Sequence, residues 1–181
     1  SKIPENLLVA HNDYEGLHDP HVWFDVTLWK YAAREIEATL SKKYPNKSKT
    51  FKNNLRSYLA KLDDLHKYVT SQAEKVSNEQ RILVTAHDAF KYFGKKYGFE
   101  VRGLQGISTE SEAGTGDVQA LVNMIVEKKI RAIFVESSVP VKNIKAVQEA
   151  VKSKGWDVTI GGELFSDAMG SAGTPEGTYI G

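Results

Sequence analysis

The hydrophobic pattern changes character along the chain. Between residues 22 and 76 apolar positions recur at helical spacing. Val26, Trp29, Ala33, Ile36 and Leu40 mark a first helix from about Val22, and Tyr44-Pro45-Asn46 ends it. Phe51, Leu55, Tyr58, Leu62, Leu65 and Val69 then alternate in steps of four and three, and Ala73 and Val76 continue the face. This spacing predicts one helix from about Thr50 to Val76, roughly 40 Å long. No glycine or proline lies between Pro45 and Gly94. Such a helix is either a bundle or coiled-coil element or a rigid strut joining two lobes.

Beyond residue 80 the pattern shortens and repeats as strand, then helix. Buried-type runs at Arg81–Thr85, Val101–Leu104, Ile130–Val135 and Trp156–Ile160 predict four strands. Helical stretches at Asp88–Tyr97, Asp117–Lys129 and Val141–Lys154 separate them, with Gly98 and Gly155 as stops. That alternation predicts an α/β fold with a mostly parallel four-stranded sheet wrapped by helices. The expected organisation is residues 1–49 as the tail of an N-terminal lobe, 50–79 as a long linking helix, and 80–181 as a C-terminal α/β lobe. Ser1 opens a loop-like stretch and Tyr179-Ile180-Gly181 closes within an apolar segment, which reads as a trimmed chain or fragment.

Composition narrows the chemistry. The 181 residues carry a net charge of +1, which gives no electrostatic footprint for nucleic acid. The absence of cysteine excludes disulfides, thiolate catalysis and Cys-based zinc sites. No apolar run approaches the roughly 20 residues that span a bilayer.

Five histidines remain, and placement separates them. In open α/β folds, ligands bind beyond the carboxyl ends of the strands. His87 and Glu136 follow the first and third predicted strands, and Asp167 follows the fourth. His21 stands beside Pro20 at a helix start. Imidazole and carboxylate together suit divalent first-row metals. Each residue has a plainer role open to it. His87 can cap a turn, and Asp167 can be an N-cap for Ala168-Met169. Glu136 can anchor the loop ahead of its helix, with Ser138 as cap and Pro140 in the first turn. His18 reads as a solvated loop residue, and His11 and His66 as surface residues. The acidic run Ile107–Glu112 reads as a solvated loop.

Five strings carry more than spacing does. HDPHVWFDV (18–26), VTAHDAFKYFGKKYG (84–98), STESEAGTGDVQALV (108–122), AIFVESSVP (132–140) and GGELFSDAMG (161–170) resemble, in order and separation, the manganese/zinc-type substrate-binding proteins of ABC importers. The resemblance implies two α/β lobes joined by one long helix, with the metal held between them. It implies His21, His87 and Asp167 as metal ligands and Glu136 as a support that does not touch the metal. The family's remaining ligand, a His early in the N-terminal lobe, has no counterpart here, so this chain supplies three ligands at most.

The function so implied is extracytoplasmic binding of Mn2+ or Zn2+ as transported ligand and its delivery to a membrane permease. Such a protein is monomeric and is periplasmic or a cell-surface lipoprotein. It is not an enzyme, and it touches the membrane only through a lipid anchor outside these residues. Imidazole-rich ligation leans to zinc, whereas GTGDVQ, ESSVP and GGELFSD resemble the manganese-type branch, which favours manganese as cargo. Two alternatives remain. One is a zinc hydrolase with the same three ligands and Glu136 as base, and the other is a surface adhesin.

Overall fold

The computed structural model describes residues 3–11, 16–107, 109 and 113–181. Most of the acidic run at 107–112 therefore lies outside the described residues. The chain forms two compact units, Ser1–Lys75 with Ile180 and Val76–Tyr179 with Gly181.

The first unit is built on two helices, α1 (Val26–Lys43) and α2 (Ser48–Ala73). The first helix begins later than its apolar pattern predicts, because Val22–Phe24 forms a 3-10 turn. Asp25 then caps α1, accepting from the Thr27 N–H at 2.8 Å and from the Thr27 hydroxyl at 2.6 Å. The 3-10 turn Pro45–Lys47 connects the two helices. α2 is a single helix of 26 residues without a break. Its predicted stripe is the face that leaves solvent: Leu62 is fully buried, Ala73 nearly so, and Phe51, Leu55, Tyr58, Leu65 and Val69 are half-buried. Within this unit α2 lies on α1. Trp29 Nε1 donates to the Tyr58 hydroxyl at 3.1 Å, and Lys30 pairs with Asp63.

The second unit alternates strands and helices: β1 (Ile82–His87), α3 (Lys91–Tyr97), β2 (Glu100–Gln105), α4 (Thr115–Glu127), β3 (Ala132–Glu136), α5 (Val141–Ser153) and β4 (Thr159–Leu164). These strands pair in parallel, β1 with β2 and β3 with β4. The expected single sheet of four strands is instead two parallel pairs. β1 runs beside β3, but side chains capture backbone groups near its end. The His87 N–H donates to Glu136 Oε1 at 2.8 Å, and the Thr85 hydroxyl donates to the His87 carbonyl. One core serves both pairs, with Val84, Ile133, Ile125, Ile144, Val147 and Val151 all fully buried.

Several element ends differ from their predicted positions. α3 starts at Lys91 rather than Asp88, because the Asp88 N–H, just past the end of β1, donates to the Gly106 carbonyl instead of opening a helix. α4 stops at Glu127 rather than Lys129, since Lys129 takes a φ of 55° that a right-handed helix cannot hold. β4 begins three residues later than predicted and ends four later. Trp156 turns inward, donating from Nε1 to the Ile130 carbonyl at 2.7 Å, and the strand runs on through Gly161-Gly162. A Cβ on Gly161 would meet the Phe134 ring at 2.7 Å, so glycine is there to admit that ring.

Candidate metal centre

In the second unit, His87, Glu136 and Asp167 come together at the carboxyl ends of β1, β3 and β4. His87 ends β1 and Glu136 ends β3, and both side chains are fully buried. Asp167 stands in the segment after β4 with its side chain about one-third exposed, 34%. His87 Nδ1 is 2.6 Å from Glu136 Oε2, and its backbone N–H donates to Oε1 of the same carboxylate. Its other ring nitrogen, Nε2, is 3.4 Å from Asp167 Oδ2.

The two sides of the ring are therefore unlike. At 2.6 Å the Glu136 contact is a close ion-pair contact between buried groups. It fixes the proton on Nδ1 and leaves Nε2 as the donor atom, the arrangement that orients metal-binding histidines. At 3.4 Å the Asp167 contact is long for a hydrogen bond. It is close to the edge of a tetrahedral zinc site, since two bonds of about 2.0–2.1 Å put neighbouring ligand atoms roughly 3.3 Å apart.

Electrostatics follow from the same contacts. Burial opposes charge on His87. The hydrogen bond and charge of Glu136, with Asp167 and Asp88, outweigh it and hold the imidazole above the usual histidine value. Burial likewise opposes charge on Glu136. Hydrogen bonds from the His87 ring, Ser166 and the His87 backbone, together with the His87 charge, bring its carboxyl below the usual glutamate value.

In the first unit, His21 repeats the arrangement on its own. Its Nδ1 is 2.7 Å from Asp19 Oδ1, which also accepts the His21 backbone N–H at 2.9 Å. Both residues are buried, and the Trp23 ring lies edge-on to the imidazole, 5.2 Å between centroids. Carboxylate on Nδ1 again leaves Nε2 as the donor. Sequence reasoning missed the role of Asp19. The signal was present, since an Asp two residues ahead of a helix-initial turn is placed to accept the N–H at i+2.

The plainer roles fare differently from residue to residue. His87 is buried within β1, not capping an exposed turn. Asp167 is not the N-cap of a helix at Ala168-Met169, because 168–169 is not helical. Ser138 does not cap α5. Pro140 occupies that position, no side chain caps it, and the Ser138 hydroxyl pairs with that of Ser166 at 2.7 Å. His18 is exposed, on an isolated antiparallel bridge with Ala10. His11 and His66 are half-buried rather than fully on the surface.

Comparison with known proteins shows what the whole chain is similar to. The family model described as ZnuA, zinc-uptake complex component A periplasmic, matches residues 3–181. The zinc-binding protein TroA of Treponema pallidum is 53% identical over 167 residues, covering 92% of this chain and 54% of that protein. The manganese-binding lipoprotein MntA of Bacillus subtilis is 51% identical over 179 residues, covering 99% of this chain and 58% of that protein. The solved structure of the periplasmic zinc-binding protein TroA from Treponema pallidum superposes with a TM-score of 0.95 at 50% identity, covering 99% of this chain and 64% of that one. The chain thus spans a little over half the length of the sequence relatives it matches.

Proposed function

This chain belongs to the family of periplasmic zinc-uptake component A proteins, and from that premise we propose that it binds a divalent transition metal outside the cytoplasm for delivery to the membrane permease of an ABC importer. His21, His87 and Asp167 are the proposed ligands, with Glu136 orienting His87. The observation that carries this reading is the His87 ring, pinned through Nδ1 by a buried carboxylate while Nε2 faces Asp167 at a metal-sized spacing. The matching Asp19–His21 pair supports His21 as a further donor. Manganese is the favoured cargo, with zinc also accommodated; the two most similar sequence relatives described above are named for one metal each.

The hydrolase alternative loses its base. Glu136 is 1% exposed, and it accepts from the His87 backbone, the His87 ring and Ser166. A carboxylate buried behind the His87 ring orients that ligand and does not face a water on the metal's open side. Nothing in the residues described favours an adhesin.

Competition titrations of Zn2+ and Mn2+ against the full-length protein test the proposal. His87→Ala removes a donor and should weaken binding by orders of magnitude, whereas His66→Ala should leave affinity unchanged. His87→Glu keeps a ligand but replaces nitrogen by a harder oxygen, so preference should move from zinc toward manganese. Unchanged affinity in His87→Ala, or lost affinity in His66→Ala, would place the site elsewhere.

A further inference from the structure

The strings ESS at the end of β3 and FSD after β4 are joined by more contacts than strand pairing requires. The Ser137 N–H donates to the Leu164 carbonyl at 3.0 Å. The Ser138 and Ser166 hydroxyls are 2.7 Å apart. Ser166, only 3% exposed, also hydrogen-bonds the Glu136 carboxylate. Donor and acceptor capacity fixes the direction of this chain. An ionised carboxylate only accepts, so the Ser166 O–H must donate to Glu136. Each hydroxyl has a single proton, so Ser138 must donate to Ser166. The sequence is Ser138 to Ser166 to Glu136, with the His87 ring donating to the same carboxylate from the other side.

Ser166 directly precedes Asp167. The segment carrying the Asp167 carboxylate is therefore tied, through one buried hydroxyl, to the group that orients His87. We propose that Ser166 is a positioning residue for the metal: its hydroxyl, held between Ser138 and Glu136, fixes the backbone ahead of Asp167 and so sets the spacing of that carboxylate from His87 Nε2. The proposal rests on the reading of His87 and Asp167 as ligands. It assigns to Ser138 a part in the site rather than in helix capping. Outer partners of this kind typically change metal affinity by about 10–100-fold when removed.

A double-mutant cycle in the full-length protein separates positioning from a merely structural role. Zn2+ affinity is measured by competition with a chromophoric chelator for wild type, Ser166→Ala, Asp167→Ala and the double variant, with thermal unfolding of each metal-free protein alongside. Ser166→Ala should lose about tenfold in affinity in the wild-type background and nothing further once Asp167 is Ala. A general loosening of the fold would instead cost the same in both backgrounds, and that result overturns the proposal, as does an unchanged affinity in Ser166→Ala. If Asp167→Ala binds as tightly as wild type, the ligand assignment itself falls and the positioning role falls with it. Ser138→Ala, run in the same two backgrounds, should show the same dependence on Asp167 with a smaller loss. It decides the matter if Ser166→Ala does not fold.

Discussion

At the residue scale the chemistry turns on protons and metal competing for one nitrogen. His87 Nε2 faces Asp167 and Nδ1 faces Glu136, and these carboxylates raise the imidazole's proton affinity despite its burial, so a proton on Nε2 competes with the metal. A ligand histidine must give that proton up. Metal affinity should therefore fall as pH drops, starting above the ordinary value of 6.5 because the shift is upward. Affinities measured by calorimetry at several pH values should show this. Replacing Glu136 by Gln removes the charge that raises His87, so the inflection should move to lower pH. The variant should also lose about 10–100-fold in affinity near neutrality.

The metal-free fold follows the opposite sign. The raised His87 contributes stability below its unfolded value, and that contribution is lost as pH rises through its folded value. The lowered Glu136 contributes above its unfolded value and loses that contribution as pH falls. The window common to both lies between about pH 4.5 and 6.5. His21, His87 and Asp167 were legible as candidates because placement and resemblance both mark them. Asp19 carried a local signal, its i, i+2 spacing to His21 at a turn, but Ser166 did not, because its role is defined by hydrogen bonds between two loops, which side-chain type and spacing alone do not encode.

At the scale of elements, the apolar stripe of α2 gave its burial correctly because one face of a long helix is enough to specify it. Leu62 is fully buried at the middle of that stripe, and Leu62→Ala should destabilise the protein by about 2–5 kcal/mol, read by chemical denaturation. Strand ends were less legible. The fourth strand is expected to end at Ile160, yet β4 runs on through Gly161-Gly162 to Leu164, and Gly161 leaves the Phe134 ring the space a side chain would fill. Gly103 in β2 shows the same logic next to the site. A Cβ there would lie 2.5 Å from the Asp88 nitrogen and 2.6 Å from the His87 carbonyl carbon. Both neighbours are backbone, so Gly103→Ala must displace the end of β1. It should weaken metal binding without touching any ligand, and the same competition titration would detect it. Whether four strands form one ladder or two pairs was not readable at all. That depends on side chains such as Glu136 and Thr85 taking backbone partners.

At the scale of the molecule, the α/β class and parallel pairing follow from alternation of short buried runs with amphipathic helices. The identity of the family came from five strings in register, which no periodicity argument could supply. The proposed ligands lie far apart in sequence, so metal binding should act on global stability. Saturating Zn2+ should raise the unfolding temperature of the wild type by mass action, and His87→Ala should abolish most of that rise. The most direct test is anomalous diffraction at the zinc edge from crystals of the full-length protein loaded with Zn2+. The account predicts a single strong peak about 2.0–2.1 Å from His87 Nε2, bonded also to His21 Nε2 and Asp167, with His87 Nδ1 still on Glu136. A peak bonded to other residues, or His87 Nε2 left on Asp167 with zinc absent at saturation, would contradict it.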